Sequence, residues 1–176
     1  MLILVLQAHA RAGARGAASK AGDISKKMKS LGVKPSLQTY NVLINLYGNS
    51  QEIGAGNKAE SILEKLEDAF RNGDKEMRPT VISYTSTINA WARSTDRRKA
   101  ERARAVLERM KVMHQNGIVA DRPNIFSYTS VINACAGTDN KQEQQGAFHI
   151  AYKTFKEIMD SESLSPNHVT YSTFLR

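Results

Sequence analysis

Residues 79–93 read PTVISYTSTINAWAR, and the fold turns on what recurs with them. Residues 123–135 read PNIFSYTSVINAC, residues 35–47 read PSLQTYNVLINLY, and residues 166–175 read PNHVTYSTFL. Tyr40, Tyr84, Tyr128 and Tyr171 therefore stand 44, 44 and 43 residues apart, each five residues after a proline (Pro35, Pro79, Pro123, Pro166). Three of the four tyrosines are followed at four and five residues by Ile-Asn. A fixed period of this length is the mark of a repeat architecture.

Within each unit the apolar residues have helical spacing. Tyr84, Ile88 and Trp91 fall at i, i+4 and i+7, as do Tyr40, Ile44, Tyr47 and Tyr128, Ile132, Cys135, so each set lines one face of a first helix. A second helix over about 57–70 carries Ala59, Ile62, Leu63, Leu66 and Phe70 on one stripe, and Ala103, Val106, Leu107 and Met110 repeat that stripe one period later. Gly54-Ala55-Gly56 and Gly137 to Asn140 read as the turns between helices, and each proline closes a unit. A lone hairpin leaves one apolar face uncovered, so neighbouring units must stack. The expected fold is all-α: an α-solenoid of helix-turn-helix repeats with a period of 43–44 residues. The units run 37–80, 81–124 and 125–167, after a partial or degraded repeat at 1–36 and before the truncated start of another at 168–176.

These strings resemble the pentatricopeptide repeat family, whose first helix opens aliphatic-x-Thr/Ser-Tyr-Asn/Thr/Ser-x-x-Ile. The segment 24–36, ISKKMKSLGVKPS, is similar to that family's repeat ending. The family's usual unit is about 35 residues, and the excess here falls in 49–56, 72–78 and 116–122, where insertion is cheap. A period near 44 is also that of HEAT and armadillo repeats, which bind proteins. They do not call for the Tyr-Asn/Thr/Ser step, but a protein-protein interaction scaffold is the alternative function.

The resemblance implies sequence-selective binding of single-stranded RNA, one base per repeat. The reading pair comprises the residue after the motif tyrosine and the residue after the closing proline. Carried over, the pairs are Asn41 with Thr80, Thr85 with Asn124, and Thr129 with Asn167, with Ser172 beginning another. The implied preference is pyrimidine-adenine-adenine, 5′ to 3′ along the chain. The same resemblance makes Gln38, Ile82, Phe126 and Val169 the plates that sandwich bases, and places Arg93, with Arg11 as its equivalent, near phosphate. Further repeats or other proteins are possible additional partners, and the family location is mitochondrion or chloroplast, in RNA processing, stability or translation. Thr80, Asn124 and Asn167 also suit plain helix caps.

Charge agrees with a polyanionic partner without requiring one: Lys and Arg outnumber Asp and Glu by 25 to 17, a formal net charge of +8. Cys135 is the only cysteine, so neither an intrachain disulfide nor a cysteine-based zinc site is available. No cofactor, metal or membrane partner is expected, and no enzyme: His9, His114, His149 and His168 have no ligand at i+4, and Gly54-x-Gly56 lacks a Walker ending. Glu64, Glu67 and Asp68 read as solubilising groups, and the basic run 97–111 reads as the solvated face of a second helix. The first 22 residues contain no Asp or Glu and resemble an organellar transit peptide. Setting residues 7–11 against 89–93 favours a degraded repeat instead.

Overall fold

The computed structural model describes residues 17–50, 52–136 and 141–176, all helix, turn or loop with no strand among them. The helices are α1 (Ala17–Ser30), α2 (Leu37–Ser50), α3 (Ala55–Arg71), α4 (Val81–Arg93), α5 (Lys99–Gln115), α6 (Ile125–Cys135), α7 (Lys141–Met159) and α8 (His168–Phe174), with a 3₁₀ turn at Lys75–Met77. The fold is therefore the all-α stack of hairpins that the periodicity requires.

Each first helix packs on its own second helix and on the first helix of the next hairpin: α2 on α3 and α4, α4 on α5 and α6, α6 on α7 and α8. Second helices stand further apart, and α5 and α7 meet only lightly. Closer spacing in one layer than in the other curves the stack towards the first helices, which carry its concave face. The core lies between the layers. Ile44, Tyr84, Ile88, Trp91, Leu63, Leu66, Leu107 and Met110 are fully buried there, as the i, i+4, i+7 stripes demand.

Tyr40 and Tyr128 are only partly buried, and Tyr171, which has the same place in the repeat, is 44% exposed. The stripe that buries Tyr84 does not enclose Tyr171. Helix α8 packs chiefly on α6, and this ring meets Phe155 in a T-shaped contact, 5.7 Å between centroids, with its hydroxyl towards Met159.

The turn placed at 54–56 is also shorter than its glycines suggest. Gly54 turns with φ of 77°, but Ala55 and Gly56 already belong to α3. Gly56 is glycine for contact and not for flexibility: a Cβ there would lie 2.5 Å from the Trp91 ring. That ring is tethered by its own hydrogen bond to Glu60 and cannot swing aside. Gly56→Ala should gain about 1 kcal/mol of helix propensity and lose about 1–3 kcal/mol to overpacking. A lower midpoint in thermal unfolding is the expected net result.

The long tails after the second helices are built and not slack. Gly73 and Gly117 take left-handed φ of 95° and 69° just past α3 and α5, the usual way to end a helix. Met77 and Val119 are buried in the loops that follow. Arg78 then donates to the carbonyl oxygens of Gly117 and Ile118, both at 2.7 Å, tying one tail to the next.

The gap between second helices is filled by charge. Tyr84 and Trp91 lie seven residues apart on α4, Glu60 and Glu67 seven apart on α3, and Arg102 and Arg109 seven apart on α5. The result is two rungs. In one, Trp91 Nε1 donates to Glu60 Oε2 at 2.8 Å, and Arg102 Nη2 lies 2.9 Å from Glu60 Oε1 with its guanidinium over the Trp91 ring. In the other, the Tyr84 hydroxyl donates to Glu67 Oε1 at 2.6 Å, and Arg109 Nε and Arg71 Nη2 lie 3.2 and 3.4 Å from the same carboxylate. Glu60 and Glu67 are 5% and 3% exposed. Burial and the bond to Glu67 push the Tyr84 hydroxyl far above its ordinary range, so it remains a donor.

One repeat on, Arg104 and Lys111 hold Glu157 of α7. Burial alone would raise the Glu157 carboxyl, but hydrogen bonds from Arg104 and Lys111 outweigh it and hold the group below the usual carboxylate range. Two readings are corrected here. Glu67 is a buried structural acceptor and not a solubilising group, because Tyr84 and Arg109 converge on it. The 97–111 run is not simply a solvated face, because Arg102, Arg104, Arg109 and Lys111 are spent on inter-helix pairs.

Candidate nucleic-acid interface

Three first helices open from the same backbone conformation. Thr80, Asn124 and Asn167 occupy the residue before α4, α6 and α8, in extended backbone with φ of −120°, −106° and −115°. The amide oxygen of Asn124 accepts from the backbone N–H groups of Phe126 and Ser127 at 3.1 and 3.2 Å. That of Asn167 accepts from Thr170 N at 3.0 Å. These residues are helix caps, as their chemistry allowed. Capping occupies Oδ1 and leaves the Nδ2 amino group, so it fixes the amide's orientation without exhausting it.

The residues after Tyr84 and Tyr128 are each brought to the following cap by a hydroxyl on the next helix. Thr85 Oγ1 lies 2.8 Å from Ser127 Oγ, which lies 3.3 Å from Asn124 Oδ1. Thr129 Oγ1 lies 3.1 Å from Thr170 Oγ1, which lies 3.1 Å from Asn167 Oδ1. Two of the three pairs expected from sequence are thus linked into one network each. The Asn41 and Thr80 pair is not: Ser83 Oγ lies 3.4 Å from Thr80 Oγ1, while Asn41 Oδ1 is buried without a hydrogen-bond partner. Ser172 lies exposed on α8 and donates to the Val169 carbonyl at 3.1 Å.

Beside these networks stands a row of unsupported side chains. Ile82, Phe126 and Val169 are 61%, 67% and 58% exposed, and Gln38 is exposed at the same place on α2. All four are the second residue of their helix. Each lies one residue before the buried hydroxyl residue Thr39, Ser83, Ser127 or Thr170. Ile82, Phe126 and Val169 thus put solvent-facing apolar groups at one register of successive, directly packed helices, beside the hydrogen-bonded networks.

Arg93 ends α4 and is exposed, but it donates to Asn49 Oδ1, its counterpart one repeat earlier. Arg11 and Gly137, at the same place in other repeats, lie outside the described residues, as does the segment read either as a transit peptide or as a degraded repeat. Cys135 is partly buried, and burial pushes its thiol up to about 12, which keeps it protonated and poorly nucleophilic at neutral pH. No group of His, Cys, Asp and Glu among the described residues could hold a metal ion, and no described helix is long and apolar enough to cross a membrane.

What sequence reasoning missed at this surface is the role of the residue before each tyrosine. Its invariant hydroxyl (Thr39, Ser83, Ser127, Thr170) was the available signal. Comparison with known proteins agrees with the geometry. No curated protein matches the chain, but the family model of the pentatricopeptide repeat domain matches residues 2–50 and 61–138. The stretch between those matches falls at the turn from α2 into α3, where these units exceed the family's usual length. With most of its length matched and its helices stacked as paired hairpins, the chain belongs to the pentatricopeptide repeat family.

Proposed function

We propose that this protein binds single-stranded RNA by reading one base per unit along its first helices, with units 37–80, 81–124 and 125–167. Membership of a family of RNA-binding proteins supports RNA as the ligand. The observation that carries the finer reading is the repeated juxtaposition of an exposed apolar plate with a polar pair: Ile82 beside Thr80, Phe126 beside Thr85 and Asn124, Val169 beside Thr129 and Asn167. Single-stranded bases present both a face to stack and an edge to hydrogen-bond, so a ligand must offer both at each step. Adenine at the second and third bases and a pyrimidine at the first, facing Asn41 and Thr80, is the preferred order. Arg93 and Arg11 would contribute phosphate contacts. The natural role is non-catalytic, in processing, stability or translation of a mitochondrial or chloroplast transcript, the usual setting of the family.

Selection from a random RNA pool tests this, followed by Asn124→Asp. The carboxylate still caps α6, since it accepts the same two backbone N–H groups and suits a helix N-terminus. The substitution therefore removes the amino donors without removing the cap. A shift from adenine towards guanine at the second base, by roughly tenfold in relative affinity, is expected; an unchanged preference would sink the readout. Salt titration separates this from a protein scaffold, because binding through phosphates must weaken steeply as salt rises.

A further inference from the structure

We propose that Ser127 and Thr170 are positioning residues that set the hydrogen-bond polarity of the neighbouring reading pairs, leaving Thr85 and Thr129 able only to accept and Asn124 and Asn167 able only to donate. The proposal rests on the reading of bases by these pairs and deepens it.

Each hydroxyl carries one proton, and that count fixes the direction of the bonds. Asn124 Oδ1 receives two backbone N–H groups, which are donors only, so the atom there must be the oxygen and not the amino nitrogen. Ser127 Oγ, 3.3 Å from that oxygen, must then be the donor. A serine has one hydroxyl proton, and it is now committed. The 2.8 Å contact between Ser127 Oγ and Thr85 Oγ1 can only be filled by the Thr85 proton. Thr85 is left with lone pairs to offer, and Asn124 with its Nδ2 amino group.

The second network has the same order. Thr170 N donates to Asn167 Oδ1 at 3.0 Å, Thr170 Oγ1 donates to the same oxygen at 3.1 Å, and Thr129 must supply the proton in its 3.1 Å contact with Thr170. Ser127 and Thr170 are both 0% exposed, so neither can touch a ligand; each acts through the pair it bridges. With a base's exocyclic group facing the threonine, lone pairs there accept from the amino group of adenine and repel the carbonyl of guanine. The Asn41 and Thr80 pair lacks the bridge, which leaves it outside this rule.

The test uses the full chain with single-stranded RNAs that differ only at the second base. Ser127→Ala leaves the Asn124 cap intact, since both backbone donors remain, but frees the Thr85 hydroxyl to rotate and donate. Preference for adenine over guanine at that base should fall about fivefold or more, with the third base read as before. Ser127→Thr, which restores the hydroxyl found at residue 170, should keep the preference. If Ser127→Ala keeps full discrimination while Asn124→Asp shifts it, the polarity rule is overturned and base reading stands. If neither variant shifts it, base reading itself fails and the rule falls with it. A loss spread equally over both bases and matched by a lower melting temperature would assign Ser127 to packing alone and also overturn the proposal.

Discussion

Replacing Glu67 with alanine is expected to cost the fold about 3–5 kcal/mol. The carboxylate is 3% exposed and accepts the Tyr84 hydroxyl at 2.6 Å, with Arg109 Nε at 3.2 Å and Arg71 Nη2 at 3.4 Å. Removing it leaves a buried phenol without an acceptor and a guanidinium that is 25% exposed without its nearest anion. Arg109 keeps Glu60 and Glu64 only at 3.6 Å, too far to replace what is lost. The cost comes mainly from the groups left behind, and this distinguishes the prediction from a simple tally of contacts. Glu67→Gln, which still offers Tyr84 a carbonyl oxygen, should lose less. Combining Glu67→Ala with Tyr84→Phe should recover part of the loss, because the stranded hydroxyl goes too. Denaturant unfolding followed by circular dichroism measures all three. A Glu67→Ala variant within about 1 kcal/mol of the parent would show the carboxylate to be no better than a surface pair.

The stack of hairpins was legible in the sequence because core positions repeat their chemistry. Ile88 with Ile44, and Leu107 with Leu63, present the same apolar group at the same register, and burial follows. The ladder between second helices was not legible, for the opposite reason. The positions one period after Glu60 and Glu67 are Arg104 and Lys111. In the first interface α3 supplies the anions and α5 the cations; in the next, α5 supplies the cations and α7 the anion Glu157. A pairing that inverts its sign from one repeat to the next leaves no common residue for periodicity to find. A net surplus of positive charge along 97–111 then looks like solvated surface, although its partners sit on two other helices.

The reading pairs lie between these cases. Residues 41, 80, 85, 124, 129 and 167 could be named from the motif, since each stands at a fixed distance from a tyrosine or a proline. Their coupling across helices could not. It depends on α4, α6 and α8 packing side by side closely enough for a hydroxyl on one to reach a threonine on its neighbour, at 2.8 and 3.1 Å. That is a property of the tertiary stack, and the unbridged Asn41 shows that an amide in the threonine's place does not reproduce it.

Phe126→Ala should weaken RNA binding by about 1–3 kcal/mol, roughly fivefold to 150-fold in Kd, with little change in the stability of the free protein. The ring is 67% exposed and stands beside the Thr85 and Asn124 network, so it contributes little to the core and has a face to give to a base. Ile82→Ala and Val169→Ala should follow the same direction with smaller losses, because aliphatic plates offer less surface for stacking. Gln38→Phe should run the other way and tighten binding, since Gln38 is the one plate of the row without an apolar face. Titration of a labelled single-stranded RNA by fluorescence anisotropy, beside thermal unfolding of each free variant, separates lost stacking from lost fold. Because stacking tolerates any base, Phe126→Ala should lower affinity for all sequences almost equally and leave the adenine preference in place. A variant that bound as tightly as the parent would remove the plates from the interface while leaving the hydrogen-bonding pairs to be tested on their own.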